Sequence, residues 1–319
     1  MKALITGGAG FIGSHLCDAL LARGDEVTVI DNLSTGSIEN VSHLEGNKRF
    51  RLVIDTIMNV PVLEQLTAKA DIVFHLAASV GVKYVIDNPL KSIQTNITGT
   101  ENVLAAANRR KCKVILASTS EIYGKNQTSP LTEDAERILG STTISRWSYS
   151  ASKAVDEFLA IAYHREKQLP VVIVRLFNTC GPRQTGQYGM VIPRFIKQAL
   201  LGHDVTVYGD GSQMRCFCFV GDTVSGILKL SDAPKAYGDV FNLGNDTEIS
   251  IHDLAKLVIK LTKSESSIEF VPYEHAYEKG FEDIERGKPS IAKAAKLVGY
   301  KPEINLEEAL KRTIEYFRE

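Results

Sequence analysis

Thr6-Gly7-Gly8-Ala9-Gly10-Phe11-Ile12-Gly13 decides the fold. The stretch follows a short apolar run, Lys2–Thr6, and opens a helical pattern over Phe11–Ala22. Glycines 8, 10 and 13 fit G-x-G-x-x-G, and glycines 7, 10 and 13 fit G-x-x-G-x-x-G. Either spacing meets the same needs: a tight turn, close approach of backbone to a pyrophosphate, and a helix seated on its strand. The helix start offers free N–H groups and the positive end of its dipole to the phosphates. A second run, Glu26–Ile30, is closed by Asp31, 18 positions after Gly13. A carboxylate there binds both ribose hydroxyls and repels a 2′-phosphate, so the expected cofactor is NAD rather than NADP. Asn32 follows, and no arginine adjoins the pair to take an extra phosphate.

Outward from the turn, apolar runs at Phe50–Ile54, Ile72–His75 and Val114–Ala117 alternate with helical stretches at Pro61–Ala68 and Pro89–Arg109. Near-continuous apolar strands between helices indicate a parallel sheet covered on both faces. Right-handed crossovers make it doubly wound, an α/β Rossmann sheet. A helix is predicted over Tyr149–Lys167 and a strand over Val171–Leu176. Beyond Gly181-Pro182 the elements shorten and turn signals crowd. The expected division is residues 1–178 for a dinucleotide-binding domain and 179–319 for a smaller α/β substrate-binding lobe, with the chain free to cross back. Leu306–Phe317 reads as an amphipathic helix capped by Asn305.

The 319 residues are 44% apolar and 24% charged, with 37 basic and 38 acidic side chains and a formal charge of -1. This composition excludes a disordered chain, a fibre and a disulfide-stapled module, and no bulk field draws the chain to nucleic acid or membrane. No window approaches the ~18 apolar residues needed to span a bilayer. Five scattered cysteines point to reduced thiols and a cytoplasmic address. No histidine spacing suits a metal, and none is expected.

Tyr149-Ser150-Ala151-Ser152-Lys153 sets a phenol and an ammonium four residues apart on one helix face. The ammonium is expected to lower the phenol's pKa, so that Tyr149 takes a proton from an alcohol while hydride leaves its carbon. Ser118-Thr119-Ser120-Glu121-Ile122-Tyr123-Gly124 ends the fifth strand, where open parallel sheets bind ligands. Thr119 and Glu121 would point to one side if the strand continued. Thr119 can hydrogen-bond the same substrate oxygen.

Taken together, the chain resembles the extended short-chain dehydrogenases/reductases that act on nucleotide sugars, over its full length. The matched stretches are Gly7–Gly13, Asp31-Asn32-Leu33, His75–Ala78, Asn96–Thr100, Ser118–Gly124 and Tyr149–Lys153, then Arg175–Asn178, Gly181–Arg183, Val207–Gly211, Arg215 and Asn242–Gly244. The resemblance implies that Gly7, Gly10, Phe11, Ile12, Gly13, Asp31, Asn32, Asp55, Leu76, Ala77, Ala78, Asn96, Tyr149 and Lys153 hold NAD. It implies catalysis by Thr119, Tyr149, Lys153 and Glu121. Lys83, Asn178, Tyr208, Gln213, Arg215 and Arg286 would hold a nucleotide sugar, UDP-linked by family habit. A homodimer is implied through helices Pro89–Arg109 and Tyr149–Lys167, with Val103, Leu104, Ala107, Phe158 and Ile161 fitting either that seam or the sheet.

In such enzymes the first step yields a 4-keto sugar. Return of hydride to the other face gives a 4-epimer. A uronic acid can lose carbon dioxide instead, and a 6-hydroxy sugar can lose water. The stretches Gly140–Ser148 and Gln184–Gly189 look like a bacterial group of 4-epimerases, which makes 4-epimerisation of a UDP-sugar the favoured expectation. Glu121 after Thr119-Ser120 resembles the UDP-glucuronate decarboxylases, the first alternative. Their arginine before Lys-Pro is Gly287 here, with Arg286 one residue earlier. NDP-sugar 4,6-dehydratases usually carry Asp-Glu where this chain has Ser120-Glu121. A regulator that binds without turnover shares the fold, but Thr119, Tyr149 and Lys153 are all intact.

Overall fold

The structure, a computed structural model, describes residues 1–186, 189–276, 282, 284 and 286–318. Gln187 and Tyr188, inside one of the epimerase-like stretches, lie outside the described residues. The first half runs β1 (Lys2–Thr6), α1 (Phe11–Arg23), β2 (Glu26–Asp31), β3 (Phe50–Ile54), α2 (Val60–Thr67), β4 (Ile72–His75), α3 (Val82–Asp87), α4 (Pro89–Asn108), β5 (Lys113–Thr119), α5 (Trp147–Lys167) and β6 (Val171–Leu176). The second runs β7 (Thr179–Cys180), α6 (Val191–Leu200), β8 (Val205–Tyr208), β9 (Met214–Cys216), β10 (Cys218–Phe219), α7 (Val220–Ser231), β11 (Asp239–Leu243), β12 (Glu248–Ser250), α8 (Ile251–Thr262), β13 (Ile268–Val271), α9 (Tyr273–Ala276), β14 (Arg286–Gly287), α10 (Ala292–Val298) and α11 (Leu306–Arg318).

The main sheet has seven parallel strands in the order β11-β6-β5-β4-β1-β2-β3. The order reverses between β1 and β4, which opens a crevice at the strands' carboxyl ends. Both faces are covered, so Leu4 and Ile5 of β1 are wholly buried although they point to opposite sides. Ile5 joins a core with α1 and α7, and Leu4 joins one with α4 and α5. β11 and α7 come from the C-terminal half and complete the sheet edge and its cover. The rest of that half has its own core, where Phe195 and Ile196 of α6 meet Leu254 and Val258 of α8 and Leu310 of α11. Asn305 caps α11 by accepting from the Glu308 amide at 2.9 Å.

Three sequence expectations change. Val103, Leu104 and Ala107 of α4 are wholly buried against the sheet, whereas Phe158 of α5 is 67% exposed, so these residues do not share one seam. α5 begins at Trp147, two residues before Tyr149. β5 stops at Thr119, and Ser120–Tyr123 form a 3₁₀ turn with Thr119 Oγ1 accepting the Glu121 amide at 3.1 Å. The turn replaces a continued strand because the Thr119 side chain offers the backbone a local partner.

The glycine turn also resolves which spacing applies. Gly7 has φ +74, and a Cβ there would lie 2.8 Å from the Ala77 amide nitrogen. A Cβ on Gly13 would meet the Gly7 carbonyl oxygen at 2.3 Å, while one on Gly8 would strike Val29 of β2. Gly7, Gly10 and Gly13 face the crevice; Gly8 serves helix-to-strand packing. Gly13→Ala is therefore expected to lower the melting temperature by a few degrees, from overpacking of about 1–3 kcal/mol, and to weaken dinucleotide binding. Thermal melts and NAD titration check it; an unchanged NAD affinity would show that the turn tolerates the methyl group.

Candidate active site

The crevice is a single cleft of about 960 Å³ that runs from the glycine turn across the ends of β1, β4 and β5 into the C-terminal half. That volume is at the top of the range for small-molecule sites and leaves room for two ligands end to end.

At one end lie Gly7, Gly10, Phe11, Ile12 and Gly13, with Asp31, Asn32 and Asp55 closing the adjacent strands. Asp31 Oδ2 accepts from the Ala9 amide at 2.9 Å and Oδ1 from the Leu33 amide at 2.8 Å. These bonds fix the carboxyl at the β2 end and leave each oxygen a further lone pair. Burial raises the Asp31 pKa, partly offset by the two amides. The Asp55 carboxyl is similarly fixed by the Thr56 amide at 2.7 Å and Asn59 Nδ2 at 2.9 Å. Leu76, Ala77 and Ala78 form the floor beyond β4. Asn96 is expected at this wall but is buried behind it: its Oδ1 accepts from the Ser79 amide at 2.8 Å and its Nδ2 donates to Ser152 Oγ at 3.1 Å.

At mid-cleft, Thr119, Glu121 and Tyr149 face the open space together. The Thr119 hydroxyl stands beside the Tyr149 phenol and opposes the rise in its pKa. Lys153 sits one turn further along α5, 2% exposed, and donates to Asp156 Oδ2 at 2.7 Å. The expected lowering of the phenol's pKa is not found. Burial pushes Tyr149 up, and the negative Glu121 adds to the rise. The Lys153 ammonium is engaged by the wholly buried Asp156, whose own charge adds to the rise.

At the far end, Asn178, Tyr208, Gln213, Arg215 and Arg286 line the cleft as expected. Asn178 Nδ2 donates to the Cys216 carbonyl at 3.1 Å. Gln213 Nε2 donates to the Tyr208 carbonyl at 3.0 Å. Arg286 is a bidentate partner of Glu248, both bonds 2.6 Å, at the exposed rim. Lys83 is not part of the wall: it is exposed on α3 and pairs with Asp87 at 3.2 Å, because the helix turns it outward.

A family model described as GDP-mannose 4,6 dehydratase matches residues 4–313. The chain belongs to this family of extended short-chain dehydrogenases/reductases. Among its relatives is the UDP-N-acetyl-alpha-D-glucosaminuronate decarboxylase of Bacillus cytotoxicus, 44% identical over all of this chain and 98% of that one. The UDP-glucuronic acid decarboxylase 1 of Danio rerio is 40% identical over 99% of this chain and 72% of its own length. In structure, the chain resembles the UDP-glucuronic acid 4-epimerase of Bacillus cereus, solved with UDP-glucuronic acid and NAD: TM-score 0.90, 32% identity, covering 100% of this chain and 99% of that one. Relatives and structural neighbours are enzymes, and so is this family member.

Within the family site, sequence reasoning missed four cations that line the cleft: Lys91, Arg146, Arg183 and Arg194. Arg194 stacks on the Tyr208 ring, 3.9 Å from its centroid. Arg146 is the N-cap of α5 and only 6% exposed. Its Nη2 lies 3.4 Å from both Glu121 carboxyl oxygens, and its Nη1 donates to the Glu282 carbonyl at 2.9 Å. The available signal was its place three residues before Tyr149, one helical turn from the phenol.

The Glu121 charge has a checkable consequence. It favours the neutral phenol, so Glu121→Gln lets Tyr149 lose its proton at lower pH. The acid limb of NAD reduction by a nucleotide sugar is expected to move down by about one unit. A limb that stays or moves up would show that Tyr149 does not feel Glu121.

Proposed function

We propose that the chain decarboxylates a UDP-linked uronic acid through a 4-keto intermediate, with NAD as cofactor. The glycine cradle, which a Cβ would fill, and the fixed Asp31 carboxylate suit NAD. In this reading Asp31 takes the ribose hydroxyls of the adenosine half, and Asp55 and Asn32 flank them. When bound, NAD accepts hydride from ring carbon four of the sugar and returns it at the end. Tyr149 takes the 4-hydroxyl proton, and Thr119 holds the same oxygen. Lys153 steadies the nicotinamide ribose. Asn178, Tyr208, Gln213 and Arg215 serve the nucleotide and diphosphate.

The observation that carries the reading is the Arg146–Glu121 pair beside Thr119 and Tyr149. A 4-keto uronate is a β-keto acid: carbon dioxide leaves when the bond between carbons five and six breaks into an enolate, which takes a proton at carbon five to become the 4-ketone that the returning hydride reduces. A cation that neutralised the carboxylate fully would hold it back. Arg146 shares its charge with Glu121, so an arriving carboxylate is oriented by the guanidinium and repelled by the glutamate. Neutral carbon dioxide escapes both effects. The 44% identical relative named as a uronate decarboxylase supports this outcome. Arg286 is engaged by Glu248 and enters the reading only at the rim.

The second reading is 4-epimerisation, the outcome the sequence favours, supported by the full-length likeness to the Bacillus cereus epimerase. Incubation with UDP-glucuronate and UDP-N-acetylglucosaminuronate, followed by mass spectrometry, separates the two. Loss of carbon dioxide supports decarboxylation; a product of unchanged mass supports epimerisation; loss of water would favour a dehydratase. A homodimer belongs to the same reading. Exposed Val155 and Phe158 on α5, with Leu90 and Ile93 on α4, give an apolar face for a second copy, and sedimentation velocity checks it.

A further inference from the structure

At the start of α5, segments far apart in the chain meet around Trp147. Glu282 Oε2 accepts from the indole Nε1–H at 2.9 Å and lies 3.1 Å from Lys125 Nζ, two residues past the Ser120–Tyr123 turn. Lys125 Nζ is 5.9 Å from the centroid of the same indole, and the Arg146 guanidinium carbon 5.5 Å. A third segment passes at Gly140. A Cβ there would meet Glu282 Oε2 at 2.5 Å and would run into Trp147 Nε1. Gly140 has no left-handed φ, so space and not backbone angle demands the glycine. An exposed pair such as Lys125–Glu282 contributes little by itself. Trp147 is 2% exposed, however, and a buried indole N–H calls for an acceptor, which Glu282 supplies.

The same residue reaches Arg146 through its backbone. The Glu282 carbonyl accepts from Arg146 Nη1 at 2.9 Å, whereas Arg146 Nη2 stands 3.4 Å from each Glu121 oxygen, longer than a strong N–H···O bond. A guanidinium is planar and rigid, so fixing Nη1 sets where Nη2 is aimed. The helix gives no help. Arg146 caps α5 at the positive end of its dipole, where a cation is disfavoured. The short bond to Glu282 is what turns the group toward Glu121 and the open cleft. A backbone carbonyl is only as well placed as its residue, and the Glu282 carboxylate, held by two donors, places this one.

We propose that Glu282 is a positioning residue for sugar specificity: its carboxylate, docked on Trp147 and Lys125, holds its own carbonyl where Arg146 is aimed at the sixth carbon of the sugar. The inference rests on the reading that Arg146 meets a uronate carboxylate, and it assigns the residues that orient Arg146 for that task. Glu282 itself touches no substrate. Removing its side chain leaves the carbonyl in the chain, so any effect on Arg146 passes through position and not through loss of an acceptor. Gly140 serves the same contact by leaving room for it.

The test compares NAD reduction by UDP-glucuronate with NAD reduction by UDP-glucose in the full chain. Glu282→Ala is expected to lower the ratio of the two rates about tenfold, the scale of one hydrogen bond to a charged group, with the melting temperature unchanged. Glu282→Gln keeps an acceptor for the indole and is expected to recover most of the ratio. Gly140→Ala presses on the contact from the other segment and is expected to lower the ratio as well. In an Arg146→Met background, Glu282→Ala is expected to move the ratio no further, since it acts only through Arg146. Trp147 is the only tryptophan of the chain, so its fluorescence reads the docking directly, and Glu282→Ala is expected to shift the emission maximum. An unshifted emission, an unchanged ratio in Glu282→Ala, or a further fall in the Arg146→Met background overturns the proposal. The two readings fail separately. If Arg146→Met slows both sugars alike, the carboxylate reading falls and takes this proposal with it. If Arg146→Met is selective and Glu282→Ala is not, the positioning role alone falls.

Discussion

Tyr149→Phe is expected to slow NAD reduction by a nucleotide sugar about 10³-fold, within the range that general acid–base catalysis supplies. The change removes one oxygen from a half-buried phenol at the cleft wall and keeps the ring's packing, so the melting temperature and NAD affinity should stay close to those of the unmodified chain. The size of the loss follows from the neighbours. Thr119 stands beside the phenol oxygen but cannot replace it, because a neutral hydroxyl is a far weaker base than a phenolate. Glu121 is the other base in view, yet it is paired with Arg146, and a carboxylate is a far weaker base than a phenolate. Stopped-flow absorbance at the reduced nicotinamide band, read in a single turnover, measures the step directly. A variant that kept more than a tenth of the rate would mean the proton leaves by another route, with Glu121 the next base to replace.

How much of this was legible in the chain differs between the two ends of the cleft. The nucleotide end was legible because its demands are local. Gly7 must adopt φ +74, Gly13 must lie on the Gly7 carbonyl, and Asp31 must end the strand beside them, all within one β-α-β unit. Sequence spacing records such demands. At the sugar end single residues were legible but their contacts were not, because those residues meet only through the tertiary fold. Arg146 and Glu121 come from the start of α5 and the end of β5, 25 residues apart, and no local pattern announces their contact. Lys83 misled for the opposite reason: its neighbours Gly81 and Val85 line the cleft, but the helical turn between them carries the lysine to the outside. Asp156, three residues after Lys153, carried no sequence signal of its own. It is wholly buried, and a buried carboxylate is retained only with a partner. Charged residues on a helix that packs on both a sheet and a catalytic cleft cannot be assigned to solvent by default.

The same tertiary contact sets the second large effect. Arg146→Met is expected to reduce kcat/KM for a UDP-uronate about a hundredfold, the scale for truncating one member of a buried charge pair. Methionine keeps much of the side chain's length and packing, so the α5 start should survive. The informative comparison is with UDP-glucose, whose carbon six is a neutral alcohol. If Arg146 orients a carboxylate, its loss should leave NAD reduction by UDP-glucose much less affected than reduction by UDP-glucuronate. One side effect runs through both substrates. Removing Arg146 unpairs Glu121, whose charge already raises the Tyr149 phenol, so the acid limb of both reactions should move to higher pH. That shift is shared, and dividing one rate by the other cancels it. What remains is the carboxylate term alone. An equal loss for both sugars would mean that Arg146 supports the phenol's surroundings and does not read the sixth carbon, and the decarboxylase reading would lose the observation that carries it.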